Sequence, residues 1–458
     1  MNEAPGPIGS AYTALCSSVL FPLHERLKRH DSTARRRALE QSQWWMPEQL
    51  ERHRLMRLRE FLSHVGVAVP YYEELFRKSG FEPAGVRSLR DLEALPFLTK
   101  AVIRAESGAL KSREAQGLAR CNTGGSSGEP LVFYLGRDRI SHDVAAKWRA
   151  TRWWGVDIGD REIVIWGSPI ELGAQDWVRS IRDRFFRTNL IPAFEMSVSK
   201  LDGFVEEIRN RRPAMLFGYP SALARIAEHA RTHEKRMDDL GVRVAFVTSE
   251  RLYPEQREQI AHVFGCPVAN GYGGRDAGFI AHECPAGGMH ISAEDIIVEI
   301  VDARGKTLPA GAAGEIVVTH MATESFPFIR YRTGDVGVLD DRVCECGRGL
   351  PLIKDIQGRT TDFVVASDGS VMHGLALIYV VRDVPGISRF KIVQERLDHT
   401  RVLLVTDATF DPSDTERIER GIAQRLGAEV QVEIELVDDI PAEKSGKYRY
   451  VVSKVASQ

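Results

Sequence analysis

Between Glu162 and Phe264, short apolar runs alternate with longer segments of helical spacing, and this alternation restricts the fold more than any other stretch of the chain. Glu162–Trp166, Ala214–Phe217 and Val242–Val247 are too short for buried helices and rich in branched or aromatic residues, which marks them as strands. Ser221–His233 and Pro254–Phe264 are long and two-faced enough to be helices. Strands joined through helices need a crossover, so they lie parallel in one sheet with helices on its faces. The expected class is α/β, with a large domain built on a mostly parallel sheet.

On the N-terminal side, Ala34 to Lys78 is rich in Arg, Glu, Gln and Leu. Leu50, Leu55, Leu58, Phe61 and Leu62 recur at helical spacing, so helices open the chain. Arg35-Arg36-Arg37 reads as a solvated helix face. Beyond Met289 the pattern turns to strands at Ile296–Val301, Gly314–Val318 and Asp335–Leu339, separated by Gly and Pro turns, which predicts a β-rich subdomain. The last hundred residues hold strands at Phe363–Ala366, Phe390–Val393, Val402–Val405 and Val430–Leu436 and a helix at Asp414–Leu426. That is enough for a small α+β domain. With 458 residues, we expect a large domain over 1–357 and a small, mobile one over 358–458, hinged near Gly358-Arg359.

The net charge of −2 argues against nucleic-acid binding, which needs a concentrated basic surface. Six cysteines in a chain of this size do not make a disulfide framework. The apolar stretch Ala14–Leu23 lacks a basic segment before it and falls short of a membrane span, so a cytoplasmic protein without a span is expected. Small-molecule chemistry is the remaining class.

Five motifs then follow in order. The run Asn122-Thr123-Gly124-Gly125-Ser126-Ser127-Gly128-Glu129-Pro130 interleaves hydroxyls with glycines, so backbone N–H groups and side chains can close around an anion. No Lys follows its last glycine and the next segment is strand-like, so it is not a Walker loop. Asn270-Gly271-Tyr272-Gly273-Gly274-Arg275-Asp276 follows a strand-like segment and joins an aromatic face, a close-approach backbone and a carboxylate. Tyr331-Arg332-Thr333-Gly334-Asp335 reads as an acid in a tight turn, able to accept from a diol. Gly358-Arg359-Thr360-Thr361-Asp362 opens the C-terminal segment, and Pro441-Ala442-Glu443-Lys444-Ser445-Gly446-Lys447 puts a lysine on a glycine-kinked loop.

In this order the motifs resemble those of the adenylate-forming superfamily of acyl- and aryl-coenzyme A ligases and peptide-synthetase adenylation domains. Val69-Pro70-Tyr71-Tyr72, Phe217-Gly218-Tyr219-Pro220-Ser221 and Ile329–Asp335 are most similar to the phenylacetate-coenzyme A ligase and CapK-like branch. The resemblance covers roughly residues 40 to 455.

The resemblance implies that Thr123, Gly124, Gly125, Ser126, Ser127 and Gly128 hold the β- and γ-phosphates of ATP. Tyr272 would pack on adenine with Gly273 beside it in the nucleotide site, Asp276 would bind Mg²⁺, and Asp335 would grip the ribose hydroxyls. Lys447 would bridge the carboxylate substrate and the α-phosphate, where two anions must meet. Ser249 and Glu250 would border the nucleotide, while Tyr219, Pro220 and Gly271 would border the acyl pocket. Trp148, Trp153, Trp154, Trp166, Phe133 and Tyr134 are read as core. Arg359 would mark the pivot of a C-terminal domain that swings between adenylation and acyl transfer to coenzyme A. The resemblance also leaves room for a homodimer.

Two positions depart from the family pattern. Asp276 stands where glutamate is usual, and Thr361 replaces a charged residue at the pivot. Separately, Cys284, His290, Cys344 and Cys346 make up the ligand set of a closed structural zinc site if the fold brings them together. The leading expectation is an ATP-dependent acid–coenzyme A ligase. An adenylating enzyme serving an amine, a carrier protein or another AMP acceptor stands beside it. A nucleotide sensor without turnover is the reading from a different class, though it leaves Lys447 without a purpose.

Overall fold

The computed structural model describes residues 11–122, 131–166, 182–193, 196, 198–359, 363–369, 371–382, 384–441 and 448–455. The chain divides into two compact units, one of Met1–Thr333 with Gly337–Ile356, the other of Gly334–Val336 with Gln357–Gln458.

The first unit opens with helices. Pro47–Ala68 and Pro70–Ser79 each begin on a proline, whose fixed φ suits the first turn and whose missing N–H costs nothing there. Leu58, Phe61, Leu62 and Val65 are fully buried along one face of the former. Within the expected basic face, Arg36 turns inward instead, 7 % exposed and paired with Glu40. A two-stranded hairpin follows, β1 (Ala119–Asn122) with β2 (Val132–Leu135), in which Asn122 lies opposite Val132.

The alternating region forms β3 (Glu162–Trp166), β4 (Thr188–Pro192), β5 (Met215–Gly218), β6 (Val244–Thr248) and β7 (Val268–Gly274). These run parallel in the order β4-β3-β5-β6-β7. Every residue of β5 and β6 is buried, as a strand covered on both faces requires. The sheet does not stop at β7. It continues through β8 (Gly278–Glu283), β9 (Met289–Ile291), β10 (Ile296–Val301), β11 (Ala313–His320), β12 (Phe328–Asp340) and β13 (Leu352–Arg359). The full order of eleven is β10-β11-β12-β13-β9-β8-β7-β6-β5-β3-β4. The β-rich stretch is thus the far half of one mixed sheet, and β7 is its switch: parallel to β6, antiparallel to β8.

One local expectation is corrected. Tyr331–Asp335 is not a tight turn but the middle of the 13-residue strand β12. Gly334, with φ of +78°, is the position that made the run look like a turn, and only glycine adopts that angle without strain.

In the second unit, β14 (Phe363–Val365) pairs with β15 (Val371–His373). Strands β16 (Ile387–Arg396), β17 (His399–Thr406), β18 (Gln431–Leu436) and β19 (Val451–Ser453) form a sheet in the order β18-β17-β16-β19. Helix Asp414–Leu426 buries Ile418, Ile422 and Leu426, one residue per turn. Gln394, fully buried, donates to the carbonyl of Val365 at 2.7 Å and accepts from its N–H at 3.0 Å, fastening the hairpin to the sheet. The unit is α+β, as the sequence predicts.

Candidate active site

Parallel strands send their carboxyl ends to one edge, so Trp166 at the end of β3 and the segments leaving β5, β6 and β7 gather there, where open α/β sheets bind ligands. After β5, Tyr219 precedes a helix that starts on Pro220. The Tyr219 ring stacks on Trp166 at the end of β3, centroids 4.5 Å apart. After β6, Ser249 holds a left-handed φ of +72°, a costly angle for a residue with a Cβ. That turn points Glu250 at the helix after β5, where its Oε2 accepts from the N–H of Ser221 at 3.2 Å. A carboxylate at a helix N-terminus is in its preferred field.

The β7–β8 hairpin carries the densest chemistry. Gly271 lies against Phe246, whose Cε1 would be 2.8 Å from a Cβ at that position, and a Cβ on Gly273 would overlap the carbonyl of Gly278. Tyr272 between them is 8 % exposed. In the turn, Asp276 Oδ2 accepts from the Tyr331 hydroxyl at 2.6 Å and Oδ1 from the N–H of Ala277 at 3.0 Å. Arg139, 1 % exposed, donates to the main-chain carbonyls of Asp276 at 3.1 Å and Arg275 at 3.4 Å. Its Nε is held by both oxygens of Asp143. Burial opposes ionisation of Asp143, but the Arg139 charge and the neighbouring His142 outweigh it and hold the carboxyl below its ordinary range.

The same turn reaches a second motif. Arg275 Nη1 donates to the carbonyl of Asn122 at 3.1 Å, across 153 residues. Since Asn122 is paired with Val132, both ends of the Gly/Ser loop are fixed beside the hairpin that bears Tyr272 and Asp276. The loop residues Thr123, Gly124, Gly125, Ser126, Ser127 and Gly128 lie outside the described residues, as does Lys447. Asp335 stands in β12, within the Gly334–Val336 piece of the second unit, and Arg359 ends β13.

Sequence reasoning assigns no role to Tyr331 or Arg139. Tyr331 lies inside a recognised motif, and its flank is unusual: Leu98 N–H donates to the Arg330 carbonyl and Arg332 N–H to the Leu98 carbonyl, both at 3.0 Å, clamping the residue between. Arg139 has a local partner only in Asp143; the Asp276 and Arg275 carbonyls that tie it to the site are far away in the chain.

The four zinc-type side chains do come together. The ligand atoms of Cys284, His290, Cys344 and Cys346 all lie within 4.8 Å of one another. Cys284 Sγ is 3.6 Å from Cys344 Sγ, and Cys346 Sγ is 3.2 Å from His290 Nε2. Tetrahedral zinc with Zn–S of about 2.3 Å sets sulfur–sulfur edges near ~3.8 Å, so the set fits the ion. His290 Nδ1 faces the carbonyl of Leu350 at 3.4 Å, which leaves Nε2 for a metal. Gly288 makes room: a Cβ there would sit 2.6 Å from Cys344 Sγ. Burial pushes the Cys284 thiol up to about 12 and His290 down to about 4. The cluster is tied to its surroundings by Trp153, whose ring meets His290 edge-on at 5.6 Å and whose Nε1 donates to Gln43 at 2.8 Å. Glu283, next to Cys284, accepts from the N–H of Asn270 at 2.8 Å and from Arg257 at 2.8 Å. The cluster therefore braces the start of the Asn270–Asp276 motif.

With this geometry in hand, similarity to known proteins becomes informative. Residues 188–323 match the AMP-binding enzyme model and residues 364–454 match the CapK C-terminal domain. The chain belongs to the adenylate-forming superfamily, in its phenylacetate-coenzyme A ligase and CapK-like branch. Protein CapK of Staphylococcus aureus is 23 % identical over 408 residues, covering 87 % of this chain and 88 % of that one. A phenylacetate-coenzyme A ligase of Thermus thermophilus is 26 % identical over 389 residues, 82 % of each. Among solved structures, 2-hydroxyisobutyryl-CoA ligase in its postadenylation state shares the fold, with a TM-score of 0.73 at 20 % identity over 90 % of this chain and 91 % of that one. The Asn270–Asp276 motif and Asn122, the residue at the foot of the Gly/Ser run, thus meet within a fold shared with a CoA ligase.

Proposed function

We propose that this chain is an AMP-forming acid–coenzyme A ligase. One observation carries the reading: the Arg275–Asn122 contact, which sets the base of a Gly/Ser anion loop against the turn holding Asp276. Phosphate donors beside a metal-type carboxylate are what a nucleoside triphosphate with its Mg²⁺ requires.

In the first half-reaction, a substrate carboxylate oxygen attacks the α-phosphorus of ATP. The bond from that phosphorus to the bridging oxygen breaks and pyrophosphate leaves. The hydroxyls and N–H groups of Thr123–Gly128 hold the leaving group, Tyr272 packs on the adenine, and Asp335 orients the ribose. Asp276, pinned by Tyr331, would hold Mg²⁺, which supplies charge neutralisation at the phosphates. Ser249 and Glu250 border the nucleotide, and Tyr219, Pro220 and Gly271 border the acyl group. Lys447 neutralises the two anions as they meet. In the second half-reaction the coenzyme A sulfur attacks the acyl carbonyl, its proton passes to solvent, and AMP leaves. Cys284, His290, Cys344 and Cys346 would hold a structural zinc ion, since all four ligand positions are protein-supplied.

Thr361, in place of a charged residue at the pivot, favours a second reading in which an amine, a carrier protein or another AMP acceptor is served.

Pyrophosphate exchange into ATP across a panel of aryl and aliphatic acids tests adenylation, and silence with every acid would sink the proposal. Thioester formation with AMP release on adding coenzyme A separates the two acceptors. Lys447→Ala should abolish exchange while ATP still binds.

A further inference from the structure

The first helical stretch is turned inside out. From Ala11 to Leu27 it runs as a helix, a π turn at Cys16–Leu20 and a second helix. Its buried residues, Thr13, Cys16, Ser17 and Glu25, are small or polar. Thr13 donates to Asp160 at 3.0 Å, Cys16 rests on Gly159, and Glu25 accepts from Ser32 at 2.5 Å. The side facing out carries Leu15, Val19, Leu23 and Leu27, exposed by 45, 52, 54 and 79 %. An amphipathic helix that served only to cover its own unit would have the reverse arrangement.

The spacing of these four is regular, one every fourth residue. In a pure α-helix such a stripe drifts around the axis, because four residues exceed one turn. The π turn closes over five residues, so four fall short of a turn and the stripe swings back. Phe185, 58 % exposed, widens it: its carbonyl accepts from the Tyr12 hydroxyl at 2.9 Å, and Phe186 packs edge-on against Phe21 at 5.8 Å.

The exposed charges along the Ala11–His30 segment have one sign. Between Ala11 and His30 the only acidic residue is Glu25, which is buried, while Arg26, Lys28, Arg29 and, beside Phe185, Arg184 are exposed. The nearby acids are already engaged, Asp31 by Arg35 and Asp183 by Arg182. No helix of the described residues is long and apolar enough to cross a membrane.

We infer that the Leu15–Val19–Leu23–Leu27 stripe with its basic rim is a membrane-surface anchor that lies in the interface of an anionic lipid leaflet. Exposed aliphatic side chains beside lysine and arginine are what such an interface retains: acyl chains take the first, phosphate headgroups the second. A second copy of the chain fits less well. Meeting it about a two-fold axis, it would set one basic rim against another, since the adjoining acids Glu25, Asp31 and Asp183 are all paired.

Flotation of the full chain with vesicles tests this. One vesicle set is phosphatidylcholine alone; the other contains about one-third phosphatidylglycerol. The protein should float with the anionic vesicles at low salt and be released as salt rises, since the rim's attraction is screened. The triple variant Leu15→Gln, Leu23→Gln, Leu27→Gln should lower the bound fraction about tenfold. Arg26→Gln, Lys28→Gln, Arg29→Gln should do so at low salt only. Both sets lie on exposed positions, so melting should match the wild type, and Leu27→Gln alone serves if the triple variant misfolds. Protein that stays with the lipid-free fraction overturns the proposal. So does a wild-type dimer that the leucine variant converts to monomer without any flotation, which would assign the stripe to a second copy.

Discussion

The Tyr331 hydroxyl donates to Oδ2 of Asp276 at 2.6 Å, joining β12 to the turn after β7. One carboxylate oxygen is thereby fixed by a side chain and the other by the Ala277 N–H, so the carboxylate cannot rotate freely. An Asp is one methylene shorter than the usual glutamate, and this clamp settles where its charge points.

Tyr331→Phe removes that clamp while keeping the ring. The variant should need more Mg²⁺ to reach half-maximal pyrophosphate exchange. Its loss of stability should stay near the ~0.5–1.5 kcal/mol of one buried hydrogen bond. A magnesium titration of exchange, beside a denaturant melt, separates the two effects.

Arg139 acts on the same turn from behind, through main-chain carbonyls. Arg139→Gln leaves the half-buried Asp143 without its cation and should destabilise the first unit by up to roughly 3 kcal/mol. Arg139→Lys should restore much of the stability but not both carbonyl contacts. A raised KM for MgATP that persists in the folded lysine variant identifies Arg139 as a positioning residue; a normal KM would reduce it to a structural one.

For the sulfur cluster, elemental analysis should find one zinc per chain. Removing it with a strong chelator, or by Cys344→Ser, should lower the melting temperature by about 2–4 °C for each kcal/mol lost. Pyrophosphate exchange should fall in step, because Glu283 next to Cys284 braces Asn270. A metal-free protein with an unchanged melt would refute the assignment.

Acid should weaken the fold. Burial pushes His282 down to about 3 and His320 well below its ordinary value, so both are neutral in the folded chain at a pH where the unfolded chain takes up protons. Their contribution is complete above about 6.5 and declines as pH falls toward the folded values, by roughly 1.4 kcal/mol per unit per histidine. Calorimetry from pH 7 to 4 should show the decline, and His282→Gln should flatten part of it.

Elements with a strong period were legible in the sequence: helices Pro254–Phe264 and Asp414–Leu426 and strand Ile296–Val301 have the expected bounds. Strands β4 and β8 were not, because β4 ends on a proline and β8 opens on a glycine with φ of +91°. Both residues suggest turns when read locally. Tyr272, Asp276 and the cysteine–histidine set could be named as candidates because their chemistry is written in short motifs. Tyr331 and Arg139 took coordinates to find, since their meaning lies in partners 55 and 137 residues away.

The cysteine–histidine cluster has a consequence for how the chain reaches its fold. His290 in β9 lies opposite Leu352 in β13, and the chain between them forms three other strands of the sheet. Closing so long a loop is slow, since its entropy is lost before the pairing rewards it. An ion captured early by Cys284 and Cys344 would close that loop first. Refolding should then accelerate with zinc, and the rate of renaturation would report on a metal whose final role is only to hold still.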